Sequence, residues 1–264
     1  MIDQLLKIPG ATRERLQRLA DGRFTQLDEL WACPWKLLPT PDPWQKRVLA
    51  DPLHDWILCA SRQSGKTEVV SAQVVWEAQC CGSFVLIISA SEAQAFEFME
   101  RVYQRYDDMP LVPMLDSRTK SEMRLVNGAR ILALPNNERT VRVYSSVDRL
   151  IIDEASRVPD SLYGAVCPML AVANGRQTLL STPFGKRGFF YQEWSEGTTW
   201  QRAKIPWTLC PRIKPEFIVN ERRKHGDLWV QQEYECTFLD VACGIFNVAA
   251  FQELVDTTME LVPW

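Results

Sequence analysis

The segment Cys59-Ala60-Ser61-Arg62-Gln63-Ser64-Gly65-Lys66-Thr67 has the ingredients of a polyphosphate site. An apolar run leads into it, a stretch with helical spacing leaves it, and it closes on Gly-Lys-Thr. Successive backbone N–H groups in such a loop can wrap phosphate oxygens, and the helix N-terminus adds partial positive charge. Lys66 can reach the outer phosphates and the Thr67 hydroxyl can ligate Mg²⁺. Ser61, Arg62, Gln63, Ser64 and Gly65 supply the rest of the expected phosphate-binding loop. The full motif has glycine at position 60, where this chain has Ala60. Arg62 places a cation beside the phosphates in the same chain; the alternative is an arginine facing solvent.

Two further segments supply complementary chemistry. Leu150-Ile151-Ile152-Asp153-Glu154 is an apolar strand ending in two carboxylates. Ligands of parallel sheets bind at the carboxyl ends of strands, which puts Asp153 in reach of a Mg²⁺ shell and Glu154 in reach of an attacking water. A kinase needs no second acid, because its nucleophile is a substrate hydroxyl; a hydrolase does. Thr178-Leu179-Leu180-Ser181-Thr182-Pro183 is a third apolar strand, ending in two hydroxyls that could sense the γ-phosphate or its water. The alternative for these hydroxyls is a simple hydroxyl turn. Upstream, Gln45 carries the donor and acceptor needed to read an adenine edge, and Trp44 reads as a packing residue.

These residues need a frame. Strand-like and helix-like segments alternate, as expected of a parallel sheet with crossover helices. Expected strands are Trp56–Ala60, Phe84–Ser89, Arg149–Ile152, Thr178–Ser181 and Gln201–Pro206. Expected helices are Lys66–Cys81, Ser91–Tyr106, Pro159–Leu170 and Phe189–Ser195, then two over residues 214–235 broken near Gly226. Asn127-Gly128 between Glu122–Val126 and Arg130–Leu134 predicts a hairpin. Earlier, Thr12–Ala20 and Thr25–Trp31 read as short helices, and Pro34, Pro39, Pro41 and Pro43 as a stiff connector.

Composition excludes several classes. The 264 residues are 46% hydrophobic and 24% charged, ordinary for a globular protein. No run approaches the ~20 apolar residues of a membrane-spanning helix, and the N-terminus lacks a secretory pattern. The net charge of −3 announces no nucleic-acid binder, so contact with DNA must come from local patches or assembly. Eight cysteines without a CxxC pair, and only His54 and His225, argue for buried thiols rather than a zinc site or a Ser-His-Asp triad.

In order and spacing, these motifs resemble the N-terminal ATPase domain of the large terminase subunit, the DNA-packaging motor of tailed phages. The match runs over about residues 40–248. Ser61–Thr67 resembles that family's deviant P-loop, in which the first glycine is often missing and an arginine sits early. Ile151–Ala155 resembles its acidic motif, Leu180–Pro183 its coupling motif, and Trp44-Gln45 its adenine-contacting glutamine. Gln232-Glu233-Tyr234 with Gly244-Ile245-Phe246 resembles the segment that closes the domain.

The resemblance implies an α/β fold of the ASCE P-loop class: a RecA-like, mainly parallel sheet with flanking helices and an added strand between the P-loop and acidic-motif strands. It implies ATP as substrate with Mg²⁺. It also implies double-stranded DNA, a portal protein and a small terminase subunit as partners, with work done in the host cytoplasm and transiently on the procapsid. The chain alone is expected as a monomer that assembles into a pentameric ring. Arg142, in an Arg-Val pair where the family often has Arg-Gly, is implied to reach a neighbour's ATP site, with Arg139 as the alternative. Three parts are expected: a helical appendage over 1–38, the ATPase domain over 39–248, and the start of a linker over 249–264. Family members usually carry a nuclease domain next, and none is expected within this chain. Leu6–Gly10 with Leu16, Leu19 and Phe24 loosely resembles half of a helix-hairpin-helix, a DNA-phosphate binder; a packing appendage is the competing reading. A two-domain helicase shares the glutamine, P-loop and Asp-Glu motif, but closes its site with a second domain of ~100–150 residues.

Overall fold

A computed structural model describes residues 34–51, 54–108 and 115–240. The expected N-terminal helices, the Gly244-Ile245-Phe246 segment and the linker over 249–264 lie outside them. After a 3-10 turn, Pro34–Leu37, the described elements are α1 (Pro43–Leu49), β1 (Asp55–Ala60), α2 (Lys66–Cys81), β2 (Phe84–Ser89), α3 (Glu92–Asp107), β3 (Leu115–Arg118), β4 (Glu122–Leu125) and β5 (Arg130–Pro135). There follow α4 (Glu138–Val141), β6 (Arg149–Asp153), α5 (Asp160–Val166), β7 (Arg176–Ser181), α6 (Gly188–Ser195), β8 (Trp200–Ile205), α7 (Pro215–His225) and α8 (Asp227–Glu233).

The eight strands form one sheet in the order β3-β4-β5-β2-β6-β7-β1-β8. All pairings from β5 to β8 are parallel; β3 and β4 join antiparallel at one edge. As expected of the RecA-like class, β7 lies between the P-loop strand and the acidic strand, pairing Cys59 with Ser181 and Asp153 with Leu180. The three loops expected to carry the site residues therefore emerge side by side.

The strands alternate between two cores. Trp56, Leu58, Val85, Ile87, Ile151 and Leu180 face the side of α1, α2 and α3. Ile57, Leu86, Ile88, Leu150, Ile152 and Leu179 face the side of α5 and α6. With both faces covered, these strands read as unbroken apolar runs, and each fully buried Leu or Ile stabilises by about 1.5–3 kcal/mol. One charge pair sits within this packing: Arg149 Nε donates to Glu77 Oε1 at 2.5 Å and Arg149 Nη1 to Thr178 Oγ1 at 3.1 Å, all three buried. Burial raises the Glu77 carboxyl, and Arg149 partly offsets it. Removing one partner would strand a buried charge, at about 3–5 kcal/mol.

Several expectations change in detail. The proline-rich connector ends in a helix: Pro43 opens α1 behind an Asp42 capping box closed by Gln45, because proline is pre-shaped for the first helical turn. The helix expected over Pro159–Leu170 stops at Val166 and continues as a 3-10 turn, since Pro168 has no N–H to donate. Strand β3 has only exposed residues and no apolar alternation to betray it.

Candidate active site

The loop between β1 and α2 is pinned from below and open above. Ser61 N donates to Ile205 O, Arg62 N to Glu233 O and Ser64 N to Ser61 O. By contrast, the amides of Gln63, Gly65, Lys66 and Thr67 have no backbone partner among the described residues. Unpaired donors beside a helix N-terminus form an anion cradle. Two backbone conformations shape it. Gln63 has φ 59° and Gly65 has φ 88°, a region that glycine enters without penalty. A Cβ on Gly65 would lie 3.0 Å from Gln45 Nε2, so the position tolerates no side chain without displacing Gln45.

Opposite the cradle stands the acidic pair. Lys66 Nζ lies 2.8 Å from Glu154 Oε1. Glu154 has φ 49°, an uncommon conformation for a side-chain-bearing residue and one that recurs at working sites. Its N–H donates to Asp153 Oδ1 at 2.9 Å. The Asp153 carboxyl is pushed up to about 6, chiefly by burial, with Lys66 opposing and Glu154 adding to the rise. Ser181 Oγ donates to Glu154 Oε2 at 3.3 Å and meets Ser156 Oγ at 2.8 Å. The hydroxyl at the end of β7 thus touches the carboxylate at the end of β6. Thr182, the next residue, is buried beside it.

Thr67 and Asp153 offer hard oxygen donors of the kind Mg²⁺ prefers, which takes one or two protein ligands and completes its shell with water and phosphate. Asp153 fits that role: a buried carboxyl at a strand end, in want of positive charge. No cluster of three or more acidic, His or Cys ligands occurs among the described residues.

A cavity of about 680 Å³ opens over the loop, bounded by Gln63 to Glu68 on one side and by Arg101, Arg212, Lys214 and Phe217 on the other. Gln45 is buried; its Oε1 accepts from Asp42 N at 2.9 Å and its Nε2 donates to Gly65 O at 3.4 Å. Arg62 is half exposed and donates from Nε to Glu233 Oε2 at 2.7 Å, which raises its pKa. Arg157 also pairs with Glu233, at 3.4 Å. Arg142 follows α4, is 63% exposed, and among the described residues pairs with Glu138 at 3.4 Å. Arg139 is exposed as well.

Sequence reasoning thus brought together Lys66, Asp153, Glu154 and Ser181, with Gln45 against the loop. It missed Arg212, Ser156 and Arg101, which belong to no motif, and gave Glu233 no bond to Arg62. A lone arginine in a turn carries no periodic or motif signal.

A family model described as terminase large subunit, T4likevirus-type, N-terminal, matches residues 57–253. The chain belongs to the large-terminase family. Terminase large subunits of Thermus phage G20c and Thermus virus P23-45 are each 26% identical over 236 residues, covering 72% of this chain. The chain spans 47% of the length of these relatives. Among solved structures, this terminase domain is similar to the large terminase ATPase domain of Thermus phage P74-26, at 23% identity and TM-score 0.65, over 78% of this chain and 97% of that one. It is also similar to the HK97 bacteriophage large terminase, at 14% identity and TM-score 0.63, over 81% of this chain and 56% of that one. The large terminase of a thermophilic bacteriophage, solved in complex with ADP, aligns at 11% identity and TM-score 0.58, over 82% of this chain and 54% of that one. At these identities the structural likeness establishes the shared fold.

Proposed function

We propose that this domain hydrolyses Mg²⁺-ATP to drive double-stranded DNA into a viral capsid. The observation that carries the hydrolysis is the 2.8 Å approach of Lys66 to Glu154 beside a loop with unpaired amides. The cradle binds the phosphates and Lys66 moves onto the outer ones, releasing Glu154. Glu154 then orients a water and accepts its proton, and Ser181 reports the carboxylate's position to β7. Thr67 and Asp153 would hold Mg²⁺, which neutralises phosphate charge as the bond to the leaving group breaks. Gln45 faces the base, and Arg62, held by Glu233, adds positive charge at the start of the loop.

Arg142 is the residue proposed to complete a neighbour's site, with Arg139 as the alternative. Strand β5, which leads to it, is parallel to β2 and so ends at the same edge as the site. In the strand order it lies four places from β1, roughly 19 Å at ~4.8 Å per strand. That separation favours action between subunits over action on its own site. The ring of five subunits, the portal, the small subunit and work on the procapsid in the host cytoplasm belong to the same proposal.

The test is multiple-turnover release of inorganic phosphate, with and without double-stranded DNA. Phosphate release without strand displacement supports the packaging reading. ATP binding without turnover would make this a binding module, and strand displacement would favour the helicase.

A further inference from the structure

Arg212 lies at the junction of two cavities. It lines the 680 Å³ cavity over the phosphate loop and a second one of about 180 Å³ beside it. Its guanidinium is fixed: Nη1 and Nη2 bond the two carboxylate oxygens of Asp42 at 3.2 and 2.7 Å, and Nη2 also donates to Ser64 O at 3.0 Å. Asp42 is buried at the N-cap of α1, so the fork rests on a rigid support. These bonds lie in the guanidinium plane and use three of its five N–H donors. The side chain is 50% exposed.

The smaller cavity is lined by Leu38, Pro39, Gln45, Arg105 and Arg212, among others. Its volume falls below the ~300 Å³ where drug-sized pockets begin, so it suits a base rather than a whole nucleotide. It holds polar groups fit to read one. Gln45 keeps a second amide hydrogen and a second lone pair beyond its two bonds. Arg105 Nε is buried there and lies 3.7 Å from Glu68 Oε2, beyond hydrogen-bond distance. No aromatic ring lines the cavity among the described residues. A flat partner for a base must then be a guanidinium; Arg105 is 14% exposed and tied to Leu37 O, Glu68 and Asp108, whereas Arg212 is held by a two-pronged carboxylate and still half exposed, and such planes stack on nucleobases.

We propose that Arg212 is a nucleotide-binding residue that stacks on the purine base, held flat by Asp42, while Gln45 reads the base edge. The inference rests on the ATP reading of the neighbouring loop. It assigns binding affinity to a residue outside every motif, in the turn before α7.

The discriminating variant is R212K. It retains a cation for Asp42, so the buried carboxylate keeps a partner and the fold is preserved, but it has no plane to stack. Calorimetric titration with Mg²⁺-ATP is compared with inorganic tripolyphosphate, which has no base. The expected result is a roughly ten-fold loss of ATP affinity, as for removal of one stacking partner, with tripolyphosphate affinity unchanged within two-fold. Equal loss for both ligands would show that Arg212 only shapes the loop through Ser64, and no loss for either would remove it from the site; each overturns the inference. Wild-type protein that binds neither ligand would instead sink the phosphate-loop reading itself.

Discussion

Asp153→Asn should make the nucleotide-free protein more stable while ending its turnover. Asp153 is 8% exposed, and burial and the neighbouring Glu154 outweigh the pull of Lys66. The carboxyl consequently sits at about 6 rather than 3.8. At ~1.4 kcal/mol per pH unit, holding it ionised in the folded state costs about 3 kcal/mol. Because the folded value lies above the unfolded one, the cost is absent below about pH 4, grows between pH 4 and 6, and is complete above pH 6. Asparagine removes the charge and can still accept the Glu154 N–H. With ~2–4 °C per kcal/mol for a domain of this size, the variant should melt about 6–12 °C above wild type at pH 8. The gap should close towards pH 4. Calorimetry without nucleotide at pH 8, 6 and 4.5 reads it directly. Adding Mg²⁺-ATP should then raise the wild-type Tm more than the variant's. Equal melting at pH 8, or a gap that ignores pH, would refute the claim that Asp153 is a buried, ionised carboxylate awaiting a cation.

Lys66→Ala should abolish ATP hydrolysis and weaken nucleotide binding in a titration, since it removes the mobile cation on the outer phosphates; near-normal turnover would remove the loop assignment. Glu154→Gln should keep Mg²⁺-ATP binding while single-turnover rates fall by roughly 10²–10⁴, and a variant that hydrolyses normally would shift the base to another residue. Arg142→Ala and Glu154→Gln should each be nearly inactive, yet mixed rings should regain part of the activity, because some sites then pair an intact Glu154 with a neighbour's Arg142. Absence of recovery despite demonstrated co-assembly would count against a role between subunits, and rescue by Arg139→Ala mixtures in its place would move that role three residues upstream.

The central sheet was legible because its strands are buried on both faces. Phe84–Ser89 and Lys66–Cys81 have in the structure the bounds that their apolar spacing predicts, and Ser91 caps α3 through its hydroxyl, as its position implies. The convergence of Lys66, Asp153, Glu154 and Ser181 could be read because sheet order converts distant strand ends into neighbours. Three things escaped. Helix α1 hid behind prolines that read as a connector, although Pro43 stands at the first helical position. Strand β3, an exposed edge, has no core to impose a pattern on its residues. Arg212 owes its place to a fold-back of 170 residues onto Asp42, and tertiary contacts of that range leave no trace in local spacing.

The hairpin of α7 and α8 is anchored to the phosphate loop at both of its feet. Before α7, Arg212 holds Ser64 O; at the end of α8, Glu233 holds the backbone and side chain of Arg62. A hairpin clamped at both feet to one short loop behaves as a lever with a narrow fulcrum. Its arm is the 11-residue α7, about 16 Å long at 1.5 Å per residue. A tilt of about 10° at the fulcrum carries the tip near Gly226 through roughly 3 Å, by the geometry of an arm that long. By that geometry a sub-ångström adjustment of the loop would be magnified at the surface, and a load applied to the tip would be returned to the loop with mechanical advantage.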